Sequence, residues 1–342
     1  MKKIAVVLMN LGGPSDLKSV KFFLFNLFYD RAILQIPNPF RWILAKIISR
    51  NREGDAINIY KKLGGKSPLL DETKAQAKEL EISLNKEKNQ HFKTFVSMRY
   101  WHPFSLETIK NVISFGPDQI ILLPLYPQFS TTTSQSSLKD FTEKIKKFSP
   151  YLETKTIPCF FFLEGFLSFI EKEVRSEYEK AKSYGVPRIL WTAHGLPKRI
   201  VEKGDPYQKQ VEETVGILES RLSDLKIESI ICYQSKVGPL EWIKPYTEDE
   251  IVRAGKEGCP LIVVPISFIS EHSETLVELD MDYKSLALKE GVPFYGRVST
   301  ARTNKMFVDG LSSAIKEGLN NHSRCPKENE SFCCLNHLKF CK

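Results

Sequence analysis

Between Val263 and Tyr283 the chain reads VVPISFISEHSETLVELDMDY, an apolar β-branched run giving way to His272, Glu274 and Glu278, then Asp280 and Asp282. A short apolar run of this kind reads as a buried strand. The acids after it suit the positive end of a helix, with Ser270 and Ser273 as cap residues. Glu274, Glu278 and Asp282 stand at i, i+4 and i+8, so a helix would carry all three on one face. Like charges so placed repel by roughly a few tenths of a kcal/mol per pair, and an offsetting cation is expected nearby. Histidine beside carboxylate at the C-terminal end of a strand has the chemistry to hold a divalent metal or to move a proton. A second histidine, His194, lies in WTAHGLP (Trp191–Pro197), where Gly195 and Pro197 force a turn just past another apolar run. A lone histidine is more often structural than catalytic. Two at strand ends, with a carboxylate beside one of them, point to a site.

The elements that must carry these residues alternate between strand-like runs and helical periodicity, the pattern of an α/β fold with parallel sheets. Strands are expected at Ile4–Met9, Lys93–Arg99, Gln119–Pro124, Arg188–Thr192, Glu228–Tyr233 and Leu261–Pro265. Amphipathic stretches at Asp71–Asn85, Ser137–Lys147, Gly165–Tyr184 and Tyr207–Leu222 read as helices. The halves repeat one another: IAVVLMNLGGP at Ile4–Pro14 parallels ILWTAHGLP at Ile189–Pro197, and QIILLPLYPQFS at Gln119–Ser130 parallels LIVVPISFIS at Leu261–Ser270. Two matches in the same order imply duplicated, Rossmann-like domains of one topology. The expected division is 1–150, 151–322 and a tail at 323–342, with the boundary near Ser149–Glu153. Ligands of open α/β sheets bind beyond the C-terminal strand ends, so His194 and His272–Glu274 should face a common cleft. Val20–Arg50 breaks the pattern, with five Phe, a Tyr and a Trp among basic residues. It reads either as a pair of buried helices or as an exposed apolar lip able to rest at a membrane interface.

Composition narrows the classes of function. With 42% hydrophobic and 26% charged residues the chain reads as a soluble globular protein. Its 49 basic and 41 acidic residues leave a formal charge of +8, but the basic residues are spread out and no nucleic-acid-binding signature accompanies them, so no nucleic-acid partner is expected. The opening MKKIAVVLMNLGGP has too short an apolar run and no cleavage site for a signal peptide. It reads as the first strand, and a reducing compartment is expected. Of the 7 cysteines, Cys159, Cys232 and Cys259 lie in apolar surroundings and read as inert core residues, whereas Cys325, Cys333, Cys334 and Cys341 crowd into the tail.

Six segments, YKKLGGKSPL, SMRYWHP, LYPQFSTTT, ILWTAHGLPKRIVEKGDPY, YQSKVGPLEW and PISFISEHSETLVELD, resemble in order the motifs of ferrochelatase, over about Ile4–Leu319. The resemblance implies two chelatase-type domains with a porphyrin cleft between them, and a lyase that inserts Fe2+ into protoporphyrin IX to form haem, releasing two protons. It implies His194 as metal ligand and pyrrole proton acceptor, Glu274 as the carboxylate sharing metal and protons, and His272 as an orienting or relaying partner. Glu278 and Asp282 would extend an acidic path for metal or protons. Leu11, Tyr60, Ser67, Arg99, Tyr100 and Trp242 match porphyrin-binding positions, and Arg99, whose guanidinium suits a carboxylate, is the expected propionate anchor. Val20–Arg50 then matches the family's apolar lip, which implies peripheral contact with the inner face of the cell membrane from the cytoplasm, and a homodimer is compatible with the pattern.

Two departures accompany the resemblance. Glu271 stands where many relatives have aspartate, and Thr131 stands where some cluster-bearing members have an internal cysteine. The tail, CPKENESFCCLNHLKFC, is similar to extensions that hold a [2Fe–2S] cluster, and four thiolates is the number such a cluster needs. Zinc would accept the same sulfurs, and His337 could replace one of the adjacent Cys333–Cys334 pair. The rival readings are a chelatase inserting cobalt or nickel into a tetrapyrrole, and a porphyrin carrier without catalysis.

Overall fold

A computed structural model describes residues 1–87 and 89–320. The described residues divide into two compact units, Met1–Phe160 together with 308–320, and Phe161–Phe307. The return of the chain to the first unit at Val308 has no counterpart in the sequence expectation.

In the first unit, strands β1 (Lys2–Asn10), β2 (Gln90–Met98), β3 (Gln119–Pro124) and β4 (Glu153–Thr156) form a parallel sheet in the order β2-β1-β3-β4. Its central strand is buried on both faces, from Ile4 to Met9, which is why the sequence there is a continuous apolar run without alternation. In the second unit, β5 (Arg188–His194), β6 (Ser229–Gln234), β7 (Leu261–Pro265) and β8 (Tyr295–Arg297) repeat the arrangement as β6-β5-β7-β8, again all parallel. β1 and β5 occupy the same place in their sheets, as do β3 and β7, so the internal repeat corresponds to one topology used twice. In each sheet the order reverses at β1 or β5, and the loops beyond those strands and beyond β3 or β7 stand at the point where open α/β sheets leave a crevice.

The sequence reading lacks β4 and β8. Both are edge strands, ETKT and YGR, short and partly exposed, and carry no apolar run to announce them. The segment after β7 differs too. Glu274–Tyr283 is a π-helix, an uncommon form concentrated at functional sites, and no sequence signal marks it. Ser273 precedes it without capping through its side chain; instead Thr275 Oγ1 accepts from the His272 backbone N–H at 3.0 Å.

Val20–Arg50 resolves into unlike parts. Helix Val20–Tyr29 buries Val20, Phe23 and Leu24 in a cluster with Tyr60 and Tyr100. Helix Phe40–Lys62 instead exposes Phe40, Trp42, Ile43, Leu44 and Ile47, with Lys46 Nζ 4.9 Å above the Trp42 ring.

Candidate active site

At the end of β5 the chain leaves the sheet through His194 and Gly195. A Cβ at Gly195 would lie 3.0 Å from the Trp242 ring and 3.1 Å from the Gln234 carbonyl oxygen, so the turn that presents His194 depends on the absence of a side chain there. His194 Nδ1 lies 2.9 Å from Glu274 Oε2, and His272 Nε2 is 3.6 Å from the same oxygen. The Trp242 ring stands edge-on to His194, 6.3 Å between centroids. His272 Nδ1 is buried without a partner among the described residues.

The electrostatics separate the two acids. Glu274 is partly buried, which disfavours its charged form, but the charge of His194 and its hydrogen bond outweigh that cost, and the carboxyl is held far below its usual range. It is therefore the hydrogen-bond acceptor, and His194 Nδ1 donates to it. Partial burial pulls the His194 pKa down, yet the Glu274 carboxylate more than offsets this and the net shift is upward. Glu278 moves the other way from Glu274: burial first, then the Glu274 charge, raise its pKa.

Glu278 is held by neutral donors, and among the described residues no Lys or Arg contacts it, although the spacing had suggested an offsetting cation. The Ser235 N–H donates to Oε1 at 2.8 Å, Tyr283 OH donates to Oε1 at 3.1 Å, and Gln234 Nε2 donates to Oε2 at 2.9 Å. Gln234 Nε2 also donates to the Glu274 carbonyl at 3.1 Å, while its Oε1 accepts from Thr192. Glu271, one residue before His272, is buried; its Oε1 accepts from Arg297 Nη1 at 2.8 Å and from the Thr300 N–H and hydroxyl. Arg297 in turn forks onto Asp280 with two contacts of 2.6 Å, fixing the π-helix to the end of β8. Asp282 is exposed further along that helix.

In the first unit the residues expected at porphyrin form their own group. Leu11, Tyr60 and Tyr100 pack in one apolar cluster with the helix Val20–Tyr29. The loop after β1 is tight: Gly12 has φ +86, and a Cβ on Gly13 would come within 2.4 Å of Ser67. Arg99 is engaged within the protein. Its Nη2 donates to Asp30 Oδ2 at 2.8 Å, its Nε donates to Ser136 Oγ at 2.8 Å, and its Nη1 lies 3.6 Å from Asp140. Tyr100 OH also donates to Asp30, at 2.8 Å, and burial followed by the Asp30 charge raises the phenol pKa well above its ordinary value.

Residues 3–319 match the family model described as ferrochelatase. The chain is 48% identical over 312 residues to a ferrochelatase of Wolbachia sp. subsp. Drosophila simulans (strain wRi), covering 91% of this chain and 98% of that one. It is 48% identical over 320 residues to a ferrochelatase of Rickettsia prowazekii (strain Madrid E), covering 94% of this chain and 91% of that one. The chain belongs to the ferrochelatase family. Among solved structures, SirB from Bacillus subtilis with Fe3+ matches at a TM-score of 0.51 and 11% identity, covering 93% of this chain and 96% of that chain, a likeness in fold.

As a ferrochelatase it is a lyase of haem synthesis whose substrates are ferrous iron and a porphyrin. The structure gathers four sequence-selected residues, His194, His272, Glu274 and Trp242, and places Glu278 one Gln234 side chain away. Among the described residues no group of three or more His, Cys, Asp or Glu side chains is arranged to hold a metal ion. No helix among them is long and apolar enough to cross a membrane. Cys159 and Cys232 are buried and Cys259 is partly so; burial pushes the Cys232 thiol up to about 12, which leaves it unreactive. Cys325, Cys333, Cys334, Cys341 and His337 lie outside the described residues.

Sequence reasoning missed Gln234, Arg297 and Asp30. Gln234 sits in YQSKVGPLEW and Arg297 in a three-residue strand; neither type nor spacing distinguishes them from surface residues.

Proposed function

We propose that this ferrochelatase converts protoporphyrin IX and Fe2+ to protohaem with His194 as the pyrrole proton acceptor, and that the His194–Glu274 contact carries the chemistry. The ionised Glu274 holds the proton of neutral His194 on Nδ1, which leaves the lone pair of Nε2 to face substrate. A pyrrole N–H passes its proton to Nε2, and the resulting imidazolium is stabilised by the 2.9 Å carboxylate contact. The two protons lost per porphyrin leave one after the other as Fe2+ takes their place. Imidazole and carboxylate together are a ligand set suited to ferrous iron on its way to the ring. Glu278, whose pKa lies nearer neutrality than an ordinary carboxyl, is the group positioned to take a proton onward, with Asp282 at the exposed end of the path. His272 steadies the Glu274 oxygen that His194 uses.

The porphyrin-binding assignment of Leu11, Tyr60, Ser67, Tyr100 and Trp242 rests on the family motifs, and for Leu11, Tyr60 and Tyr100 also on the apolar cluster they share with helix Val20–Tyr29. Phe40, Trp42, Ile43, Leu44 and Ile47, exposed beside Arg41 and Lys46, fit an anionic bilayer surface and support a peripheral location on the cytoplasmic side of the membrane. Co-sedimentation with vesicles containing phosphatidylglycerol, lost in Trp42→Asp/Ile47→Asp, is the expected result. The tail cysteines Cys325, Cys333, Cys334 and Cys341 have the ligand number for a [2Fe–2S] centre. Iron and acid-labile sulfide at two each per anaerobically purified chain, lost on truncation after Asn320, is the outcome that supports it. Analytical ultracentrifugation of the full chain addresses the homodimer.

Anaerobic incubation of protoporphyrin IX with Fe2+, Co2+ or Ni2+, followed by absorbance, tests the reaction itself. Haem formation with Fe2+ is expected. Turnover confined to cobalt or nickel would favour the other chelatase reading, and tight porphyrin binding with no turnover would favour a carrier.

A further inference from the structure

One carboxylate in the first unit collects an unusual number of donors. Asp30, the residue after helix Val20–Tyr29, receives on a single oxygen, Oδ2, the Arg99 guanidinium, the Tyr100 phenol and the Ser136 hydroxyl. Its other oxygen accepts the Ala32 N–H at 2.9 Å. The Asp30 side chain is 8% exposed and that of Arg99 21%. The guanidinium is flanked by Ser136 and Asp140, and Asp140 is itself held by Ser105 Oγ at 2.6 Å and by Lys144. Asn26, on the same helix as the aromatic cluster, donates to the Tyr100 carbonyl at 3.0 Å.

We propose that Asp30 is a positioning residue: it locks the end of the aromatic helix onto Arg99 and Tyr100 at the end of β2, and thereby fixes the first-unit wall to which porphyrin binds. The assignment rests on the porphyrin-binding reading given above. It also reassigns Arg99. A guanidinium that donates from Nε to Ser136 and from Nη2 to Asp30, with Nη1 beside Asp140, is held within the wall and organises it rather than reaching out to a propionate. Breaking a partly buried, hydrogen-bonded ion pair leaves the surviving charge uncompensated, so the cost falls on the local arrangement of both segments. Because Asp30 touches neither His194 nor Glu274, its loss acts on porphyrin binding and spares the metalation step.

The test compares wild type, Asp30→Asn and the milder Ser136→Ala, which removes one of the three donors and guards against a misfolded Asn variant. Two readouts are taken on the full chain: KM and kcat for protoporphyrin IX with Fe2+, and the rate of tryptic cleavage after Arg31 and Arg41. In Asp30→Asn the porphyrin KM is expected to rise about ten-fold with kcat within about two-fold, and cleavage is expected to accelerate several-fold, with Ser136→Ala intermediate. A fall in kcat at unchanged KM would overturn the proposal, as would unchanged KM and cleavage in both variants. If wild type formed no haem, the proposed reaction would fail, while faster cleavage in Asp30→Asn would still establish the lock on its own.

Discussion

His194 and Glu274 meet at 2.9 Å across 80 residues of chain, one at the end of β5 and the other opening the π-helix after β7. β5 and β7 are adjacent, with Trp191 paired to Val264, so the two loops that carry the pair leave the sheet side by side. The contact is a consequence of the parallel sheet and its reversal of order at β5, and it holds the carboxylate ionised and the imidazole basic.

The pair predicts a shape for the pH profile. His194 accepts a pyrrole proton only when neutral, and Glu274 raises its pKa above the ordinary 6.5. kcat should therefore rise with pH through that raised value. Glu274→Gln removes the chief upward cause, leaving burial, which acts downward, against the weaker pull of Glu278, so the inflection should move to lower pH while kcat falls by about 10²-fold or more. An inflection unmoved by Glu274→Gln would assign the titration to another group.

Glu271 gives a stability prediction in acid. Burial disfavours its charge, but Arg297 outweighs that and the pKa lies below the ordinary 4.5. A carboxyl with a depressed folded-state pKa stabilises fully above the unfolded value, and the contribution is lost as pH falls through the folded one. Glu271→Gln should lower stability by about 3 kcal/mol at neutral pH and by progressively less in acid. Urea midpoints measured in both ranges check this; a constant difference would contradict it.

Gly13 tests the first-unit wall. A methyl group there would come within 2.4 Å of Ser67 Cβ and Oγ. Gly13→Ala should destabilise by about 1–3 kcal/mol and raise the porphyrin KM, and pairing it with Ser67→Gly, which relieves the clash, should restore part of the stability. Thermal unfolding and steady-state kinetics on the two variants give the answer.

Much of this was legible in the sequence, and the remainder was hidden for identifiable reasons. β3 and β7 carry apolar runs whose bounds coincide with the strands found, because a strand buried on both faces must be apolar throughout. β4 and β8, at the edges, are under no such demand. His194, Glu274 and His272 were visible through residue type and strand-end position. Gln234 was not, since its importance lies in two hydrogen bonds that exist only after β6 and the π-helix meet. Arg99 was visible through its type, but its partner Asp30 lies 69 residues away and shows nothing in sequence of the three donors it collects.

The most direct measurement is anaerobic haem formation from protoporphyrin IX and Fe2+ by wild type and His194→Ala, with porphyrin affinity read in parallel by fluorescence quenching. Loss of turnover in the variant with affinity kept within a few-fold is the expected result, placing His194 at the proton-accepting step. Equal rates in the two proteins would contradict it and move the chemistry away from the His194–Glu274 pair.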